Sequence, residues 1–211
     1  TLNTPKGKLG IGPNVRNFMS EGIRKAAKFE VVNGAPVTEY TRAVKSPKEL
    51  SYMEAANRIT KLAYREGFKK LKEGMTTGDL QNEIRNAHRQ LGVSGSGGPL
   101  FGEAAAFPHG TKEKKTLEEG DIILVDGGCS VNGYRSDVTR TIVYGNPTER
   151  QRTVWNVVKE AQDAAFNIIK QGLPCSEADK AARKVVEKAG FGSGYETFTH
   201  RLGHGIGMEG H

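Results

Sequence analysis

The sequence has 211 residues, a net charge of +7 and 36% hydrophobic residues. No apolar run approaches the roughly 20 residues that cross a bilayer, and the N-terminus lacks the apolar core of a secretory signal, so we expect a soluble protein without a membrane partner. Two cysteines, Cys129 and Cys175, cannot form a disulfide framework, which favours a reducing, cytoplasmic compartment. The densest basic cluster, Lys112–Lys115, contains no aromatic residue. It therefore predicts a solvated loop, and we expect no nucleic-acid partner.

The first part of the chain indicates the end of a preceding domain. A weak helix pattern covers Pro13–Lys28, and Phe29–Val32 is a short strand candidate followed by an Asn-Gly turn. The stretch Ser46–Glu49 then supplies an N-cap serine, a proline at the first helical position and a glutamate three residues after the cap. We therefore expect one domain remnant over 1–45 and a second domain over 46–211.

The second domain alternates helices with strands. Residues 93–110 are rich in glycine and alanine and predict a loop, whereas the residues from Tyr195 onward predict a glycine-broken strand. The other expected elements are helices Pro47–Gly74, Thr77–Leu91, Thr148–Gln171 and Ser176–Ala189, the last capped by Ser176, and strands Asp121–Cys129 and Tyr134–Tyr144. Because these elements form no regular βαβ units, the pattern predicts the α+β class.

The two central strands are joined by Val131–Tyr134, which carries the Asn-Gly signature of a tight hairpin. A two-residue turn pairs Asp126 with Thr139 and Asp137 with Gly128. The side chains of Asp126 and Asp137 then share one face of the hairpin, with Cα atoms roughly 7–8 Å apart. Two carboxylates in this position repel each other unless a cation lies between them. Carboxylates favour a divalent ion such as Mn²⁺, Co²⁺ or Zn²⁺.

Four of the five histidines are site candidates. Three of them, His200, His204 and His211, lie in the glycine-rich ending, where alternate glycines disfavour the helix that an i, i+4 zinc motif requires. His109 ends the Gly/Ala-rich segment, whereas His88 lies in mid-helix beside two arginines and is predicted to be a surface residue. Imidazole is both a common metal ligand and the usual acid–base group near neutral pH. Together with the two aspartates, these histidines predict a metal-dependent hydrolase.

Two long motifs give this prediction a family context. VDGGCSVNGYRSDVTRT (125–141) and HRLGHGIGMEGH (200–211) resemble the pita-bread metallopeptidases, in particular the branch of Xaa-Pro dipeptidases (prolidases) and Xaa-Pro aminopeptidases. AVKSPKEL (43–50) is similar to the passage of that branch into its catalytic domain. The resemblance covers 43–211 and, more weakly, 1–42. It implies a pita-bread (creatinase/aminopeptidase-like) catalytic domain that follows the end of a creatinase-N-like domain.

The resemblance also implies a site and a reaction. Two aspartates and the first histidine of the GHGIG motif would bind two divalent ions, Mn²⁺ by preference and Co²⁺ or Zn²⁺ as alternatives. The implied metal ligands are Asp126, Asp137 and His204, with the second aspartate bridging the ions. The histidines expected to face the substrate are His109, His200 and His211, the last of them stabilising the tetrahedral intermediate. The implied reaction is hydrolysis of a peptide bond before proline by a hydroxide that bridges the two metal ions.

The sequence departs from the family pattern at its end. The family's metal set includes two glutamates downstream of GHGIG, one of which is the general acid–base, and neither is present before the chain stops at His211. We therefore expect a catalytic domain that is incomplete at its C-terminus.

A non-catalytic binding module on the same fold is an alternative, although the ligand positions are filled. Methionine aminopeptidase is a second alternative, disfavoured by the SDVTRT and HRLGHGIG motifs. Three points stay open: whether the specificity is that of a dipeptidase or an aminopeptidase, which metal is bound, and whether the chain forms the homodimer common in this family.

Overall fold

The computed structural model describes residues 7–26, 29–107, 110–111 and 115–210. The chain divides into two compact units, Thr1–Leu50 and Ser51–His211. In the described part of the chain, no helix combines the length and apolar character needed to cross a bilayer.

The first unit contains two parallel strands and two helices. Its elements are β1 Gly7–Ile11, α1 Asn17–Ala26, β2 Phe29–Asn33 and α2 Ala35–Ala43. The helix and the strand expected over 13–32 are confirmed as α1 and β2, whereas β1 and α2 were not predicted. At the end of β2 the chain passes so close to β1 that a Cβ at Gly34 would lie 2.9 Å from the carbonyl carbon of Gly10. Only glycine therefore fits there.

Four long helices and one short 3₁₀ helix follow. Their bounds are α3 Pro47–Phe68, α4 Thr77–Gln90, the 3₁₀ helix Gly102–Ala106, α5 Glu149–Ile168 and α6 Cys175–Lys188. The predicted cap of α3 is confirmed, since the Ser46 backbone N–H donates to Glu49 Oε2 at 2.7 Å. Two differences concern helix ends. Helix α3 ends at Phe68, well before Gly74, and α6 begins at Cys175 with Pro174 as its N-cap. Ser176 therefore lies inside the first turn and does not cap it.

The second unit is built on a four-stranded antiparallel sheet. Its strands are β3 Gly95–Phe101, β4 Ile122–Val131, β5 Tyr134–Arg135 and β6 Val138–Val143, with β4 between β3 on one side and β5 and β6 on the other. The predicted hairpin register is confirmed, because Asp126 pairs with Thr139. Asn132 and Gly133 both have positive φ, 48° and 85°, as a two-residue type I′ turn requires. Strand β3 was expected to be a loop.

Helices α3 and α4 pack on one face of this sheet and form the main core. The buried residues are Tyr64, Met75, Leu80, Ile84, Phe101, Leu117, Ile123, Val125 and Val138. On β4, the buried Ile123 and Val125 alternate with residues that point to the other face, where Asp126 is exposed. A second, smaller core between α5 and α6 contains four alanines, Ala161, Ala165, Ala178 and Ala182. The predicted α+β class is confirmed.

Two predictions about the histidine-containing regions are wrong. His88 is completely buried rather than on the surface, and its Nδ1 lies 2.9 Å from the Ile84 carbonyl oxygen. The residues from Tyr195 to Gly210 form no strand and no helix. A strand needs a partner along its length, whereas this segment meets the sheet near its end, where the Arg135 backbone N–H donates to Gly207 O at 2.8 Å.

Candidate metal site

The exposed face of the sheet carries two carboxylates. Asp126 lies in the middle of β4, and its Oδ1 accepts a hydrogen bond of 2.7 Å from Thr139 Oγ1 on β6. Asp137 immediately precedes β6, two residues before Thr139. Because side chains alternate along a strand, both carboxylates lie on the face opposite the main core. The Thr139 hydroxyl was missed as a site residue, although the predicted register already placed it opposite Asp126.

Two glycines beside Asp126 allow neighbouring strands to approach closely. A Cβ at Gly127 would lie 2.6 Å from the Ser96 carbonyl oxygen on β3, and a Cβ at Gly128 would collide with the Ser136 carbonyl oxygen. The structure shows that these glycines admit backbone, which brings the residue before Asp137 against β4.

A buried polar network holds the backbone next to Asp137. Ser136 Oγ lies 2.8 Å from Thr60 Oγ1 on α3 and accepts a hydrogen bond of 3.0 Å from the Cys129 backbone N–H. The Ser136 N–H in turn donates to the Cys129 carbonyl oxygen at 3.0 Å. All three side chains are buried. The network thus ties the turn between β5 and β6 to helix α3 and fixes the position from which the Asp137 side chain projects.

A buried tyrosine lies under the two carboxylates. Burial raises the pKa of the Tyr64 hydroxyl above its usual range, and the negative charges of Asp126 and Asp137 raise it further, with Arg140 opposing them. Tyr64 is only 1% exposed, and its hydroxyl finds no hydrogen-bond partner among the described residues. The tyrosine therefore stays neutral, and the negative charges of Asp126 and Asp137 both act on its hydroxyl group.

His204 faces Asp137. Its Nε2 lies 3.5 Å from Asp137 Oδ2, and the two side chains are 22% and 37% exposed. The other ring nitrogen, Nδ1, lies 2.8 Å from the Gly205 carbonyl oxygen. A neutral ring that donates its Nδ1 proton to that carbonyl presents a lone pair at Nε2, which is the usual arrangement of a metal-binding histidine.

The separation between His204 and Asp137 suits a shared cation better than a direct hydrogen bond. At 3.5 Å it exceeds the 2.7–3.2 Å typical of nitrogen–oxygen hydrogen bonds. Two atoms that bind one ion at about 2.0–2.2 Å each lie no more than about 4 Å apart. One carboxylate oxygen and one imidazole nitrogen are also donors that Mn²⁺, Co²⁺ and Zn²⁺ accept. The pair therefore fits a divalent metal ion.

Among the described residues, His200 does not join this pair in a group of three ligands. His200 is exposed, with its Nδ1 2.8 Å from the Arg201 carbonyl oxygen. His109 and His211 lie outside the described residues. Within residues 7–26, 29–107, 110–111 and 115–210, no three His, Cys, Asp or Glu side chains come close enough together to hold a metal ion. The structure thus brings Asp137 and His204 together and places Asp126 on the same face, bonded to Thr139.

Comparisons with known proteins identify the family. Residues 51–211 match metallopeptidase family M24, and the chain belongs to this family. An uncharacterized peptidase of Schizosaccharomyces pombe is 38% identical over 210 residues, which cover 97% of this chain and 46% of that protein. The similarity confirms the predicted metallopeptidase family, which implies divalent metal ions.

Solved structures confirm the predicted pita-bread fold. The prolidase from Pyrococcus furiosus superimposes with a TM-score of 0.86 at 31% identity, over 98% of this chain and 62% of that one. The Xaa-Pro dipeptidase from Bacillus anthracis gives the same score and identity over 96% of this chain and 58% of that one. The chain thus spans about three fifths of these structures.

Proposed function

We propose that the protein containing this chain is a metal-dependent peptidase that hydrolyses Xaa-Pro peptide bonds. The observation that carries the proposal is the Asp137–His204 pair, whose oxygen and nitrogen lie 3.5 Å apart. Membership of family M24 supports a peptide substrate. The likeness to a prolidase and to an Xaa-Pro dipeptidase supports a proline after the scissile bond.

In this proposal three residues hold two divalent ions, Mn²⁺ by preference and Co²⁺ or Zn²⁺ as alternatives. The proposed ligands are Asp126, Asp137 and His204, of which Asp137 would be shared by both ions. When bound, the ions polarise the scissile carbonyl and make a water molecule reactive near neutral pH. The chain's own contribution is orientation. Thr139 fixes one carboxylate by its hydrogen bond of 2.7 Å to Asp126, and the Gly205 carbonyl, 2.8 Å from Nδ1, fixes the ring of His204.

The remaining histidines are proposed to act on the substrate. The nitrogen of an Xaa-Pro bond carries no hydrogen, so it has to take up a proton before it can leave. In the resembled family a glutamate downstream of GHGIG supplies this proton, whereas imidazole can donate a hydrogen bond to a developing oxyanion and contact the substrate near the scissile bond and the proline. We assign these substrate contacts to His109, His200 and His211.

The activity is tested with the full-length gene product that contains this chain. We expect Mn²⁺-dependent release of proline from an Ala-Pro dipeptide and much slower cleavage of Ala-Ala. A tripeptide with proline second distinguishes an aminopeptidase, which cleaves it, from a dipeptidase, which does not. Asp137→Asn removes the carboxylate charge at nearly constant size and should abolish turnover.

The matched control is Asp163→Asn, which makes the same exchange on α5, where Asp163 is exposed and paired with Lys159. This variant should keep the parent rate. Wild-type turnover in folded Asp137→Asn, or equal cleavage of Ala-Pro and Ala-Ala by the parent, would contradict the proposal.

A non-catalytic binding module is the second candidate. It is favoured by the finding that no three-ligand cluster forms among the described residues, and the net charge of +7 is consistent with it. Metal content separates the two candidates. A peptidase takes up divalent metal at a stoichiometric level when Mn²⁺ is added, whereas a binding module takes up none.

Three broader assignments stay predictions. Residues 1–45 are predicted to be the end of a creatinase-N-like domain, with 46–211 as the catalytic part. A homodimer is the assembly common in the resembled family, and its presence is tested by sedimentation. A cytoplasmic location agrees with the two free cysteines, Cys129 and Cys175, and is tested by fractionation of cells.

A further inference from the structure

The backbone that leads to His204 is held by a side-chain pair on helix α6. Between Gly194 and Leu202 the chain forms no strand and no helix. Asp179 and Arg183 lie one helical turn apart, with Arg183 Nε 2.6 Å from Asp179 Oδ2 and Nη2 3.2 Å from Oδ1. This two-pronged contact fixes the guanidinium plane. The hydrogen bonds from Arg183 also lower the pKa of the Asp179 carboxyl below its ordinary value, so this carboxylate stays charged.

The remaining polar atoms of this pair form hydrogen bonds with the backbone of the irregular segment. Arg183 donates to three carbonyl oxygens, from Nη1 to Gly194 at 2.9 Å and to Phe198, and from Nη2 to His200 at 2.8 Å. Asp179 Oδ1 accepts the backbone N–H of Leu202 at 2.9 Å. The segment thus receives from one side-chain pair the backbone partners that a strand would receive from its neighbour.

Aromatic rings enclose the same guanidinium. Its central carbon lies 3.7 Å from the ring centroid of Tyr195 and 4.3 Å from that of Phe198. Arg183 is consequently only 8% exposed. Lysine cannot replace it, because a single ammonium group has neither the planar fork for Asp179 nor the flat face for the rings.

The segment continues directly into the candidate metal site. His204 follows Leu202 by two residues, with a glycine on each side of it, so the local backbone has little stiffness of its own. We propose that Asp179 and Arg183 are positioning residues that hold His204 opposite Asp137 and thereby set the divalent-cation affinity of that site. This inference rests on the proposed function, because the cation is the one proposed there.

The test compares Arg183→Lys with the parent in the full-length gene product. Mn²⁺ affinity is measured by calorimetric titration, and amide hydrogen exchange is followed in a peptide that covers 199–208. We expect Arg183→Lys to weaken Mn²⁺ binding about 10- to 100-fold, the range typical of residues that orient a metal ligand. Exchange over 199–208 should become faster, while exchange in β4 stays unchanged.

Two further variants separate positioning from general stability. Arg150→Lys is the matched control, because Arg150 also stacks on a ring, with its guanidinium carbon 4.6 Å from the centroid of Phe191. It should leave Mn²⁺ affinity unchanged. Asp179→Asn keeps an oxygen for the Leu202 N–H but loses the charge that holds Arg183. It should lower affinity less than Arg183→Lys and serves as the test if Arg183→Lys does not fold.

Each outcome is decisive. A folded Arg183→Lys protein that binds Mn²⁺ as the parent does, whether or not exchange over 199–208 is faster, overturns the positioning role and leaves the proposed function intact. If Arg183→Lys does not fold, unchanged affinity in Asp179→Asn has the same meaning. A parent protein that binds no Mn²⁺ overturns the proposed function, and the positioning role falls with it.

Discussion

The two halves of the candidate site are built in different ways. The aspartates stand on or beside a sheet whose central strand is hydrogen-bonded on both sides and backed by a buried core. His200 and His204 lie on an irregular segment in which residues 203, 205, 207 and 210 are glycines. In the first half, local backbone pairing fixes the ligand. In the second half, glycine gives the backbone conformational freedom, and side chains from the preceding helix α6 fix its position. The positions of the two aspartates should therefore survive most single substitutions. The position of His204 should depend on a few side chains, above all Asp179 and Arg183.

Glycine substitution should give the largest difference between the halves. Gly128→Ala places a methyl group against the Ser136 carbonyl oxygen, and we expect a loss of about 3 kcal/mol in the free energy of unfolding, the upper range for overpacking. Gly205→Ala meets no atom within 4 Å and should change stability by less than about 0.5 kcal/mol. Urea unfolding measures both. Equal losses in the two variants would show that the segment is packed as tightly as the sheet.

The hydroxyl network under Asp137 should give an intermediate effect. Ser136→Ala removes the hydroxyl that accepts the buried Cys129 N–H and leaves the Thr60 hydroxyl with its contact to Cys129 Sγ, which costs about 1–3 kcal/mol. Ser130→Ala is the control, because Ser130 lies next to Cys129 on β4 and is exposed, so its replacement should cost less than about 0.5 kcal/mol. Both values come from urea unfolding midpoints. Equal stability of the two variants would show that the hydrogen bonds of Ser136 do not stabilise the part of the site on the sheet.

The smallest expected effect is a pH dependence confined to the sheet half. Burial lowers the pKa of His88, which packs behind β3, below its ordinary 6.5. As the pH falls, the unfolded chain binds a proton first, so the stability that neutral His88 contributes is complete above pH 6.5 and is lost as the pH falls through the lower folded-state value. His88→Phe should flatten this part of the stability profile between about pH 7 and pH 5. A profile identical to that of the parent would contradict burial of the neutral ring.

The hairpin was predictable because its determinants are local. Asn132 and Gly133 can both adopt positive φ, and that property alone sets the turn, the register and the common face of the two aspartates. Burial of His88 could also have been predicted from the sequence. Leu80, Ile84 and His88 recur every four residues on one face of α4, a stronger signal than the arginines beside His88.

The rest depended on contacts distant in sequence. Strand β3 begins Gly-Ser-Gly-Gly, which has little strand propensity of its own, and it forms because β4 supplies its hydrogen bonds. The segment after Tyr195 has the composition expected for a strand but forms none within the described part of the chain. The Asp179–Arg183 pair has the spacing of an ordinary helical surface pair. Only the fold shows that Arg183 reaches the backbone of Phe198 and His200.

Divalent-cation binding at Asp137 and His204 is the central claim, and calorimetric titration with Mn²⁺ tests it most directly. The full-length gene product that contains this chain should bind Mn²⁺ stoichiometrically. Asp137→Asn and His204→Gln should each lose that binding, while Asp163→Asn keeps it. Removal of either ligand leaves the sheet intact, so all four proteins should unfold at similar urea concentrations. Unchanged Mn²⁺ affinity in both ligand variants, or no binding by the parent, would contradict the claim.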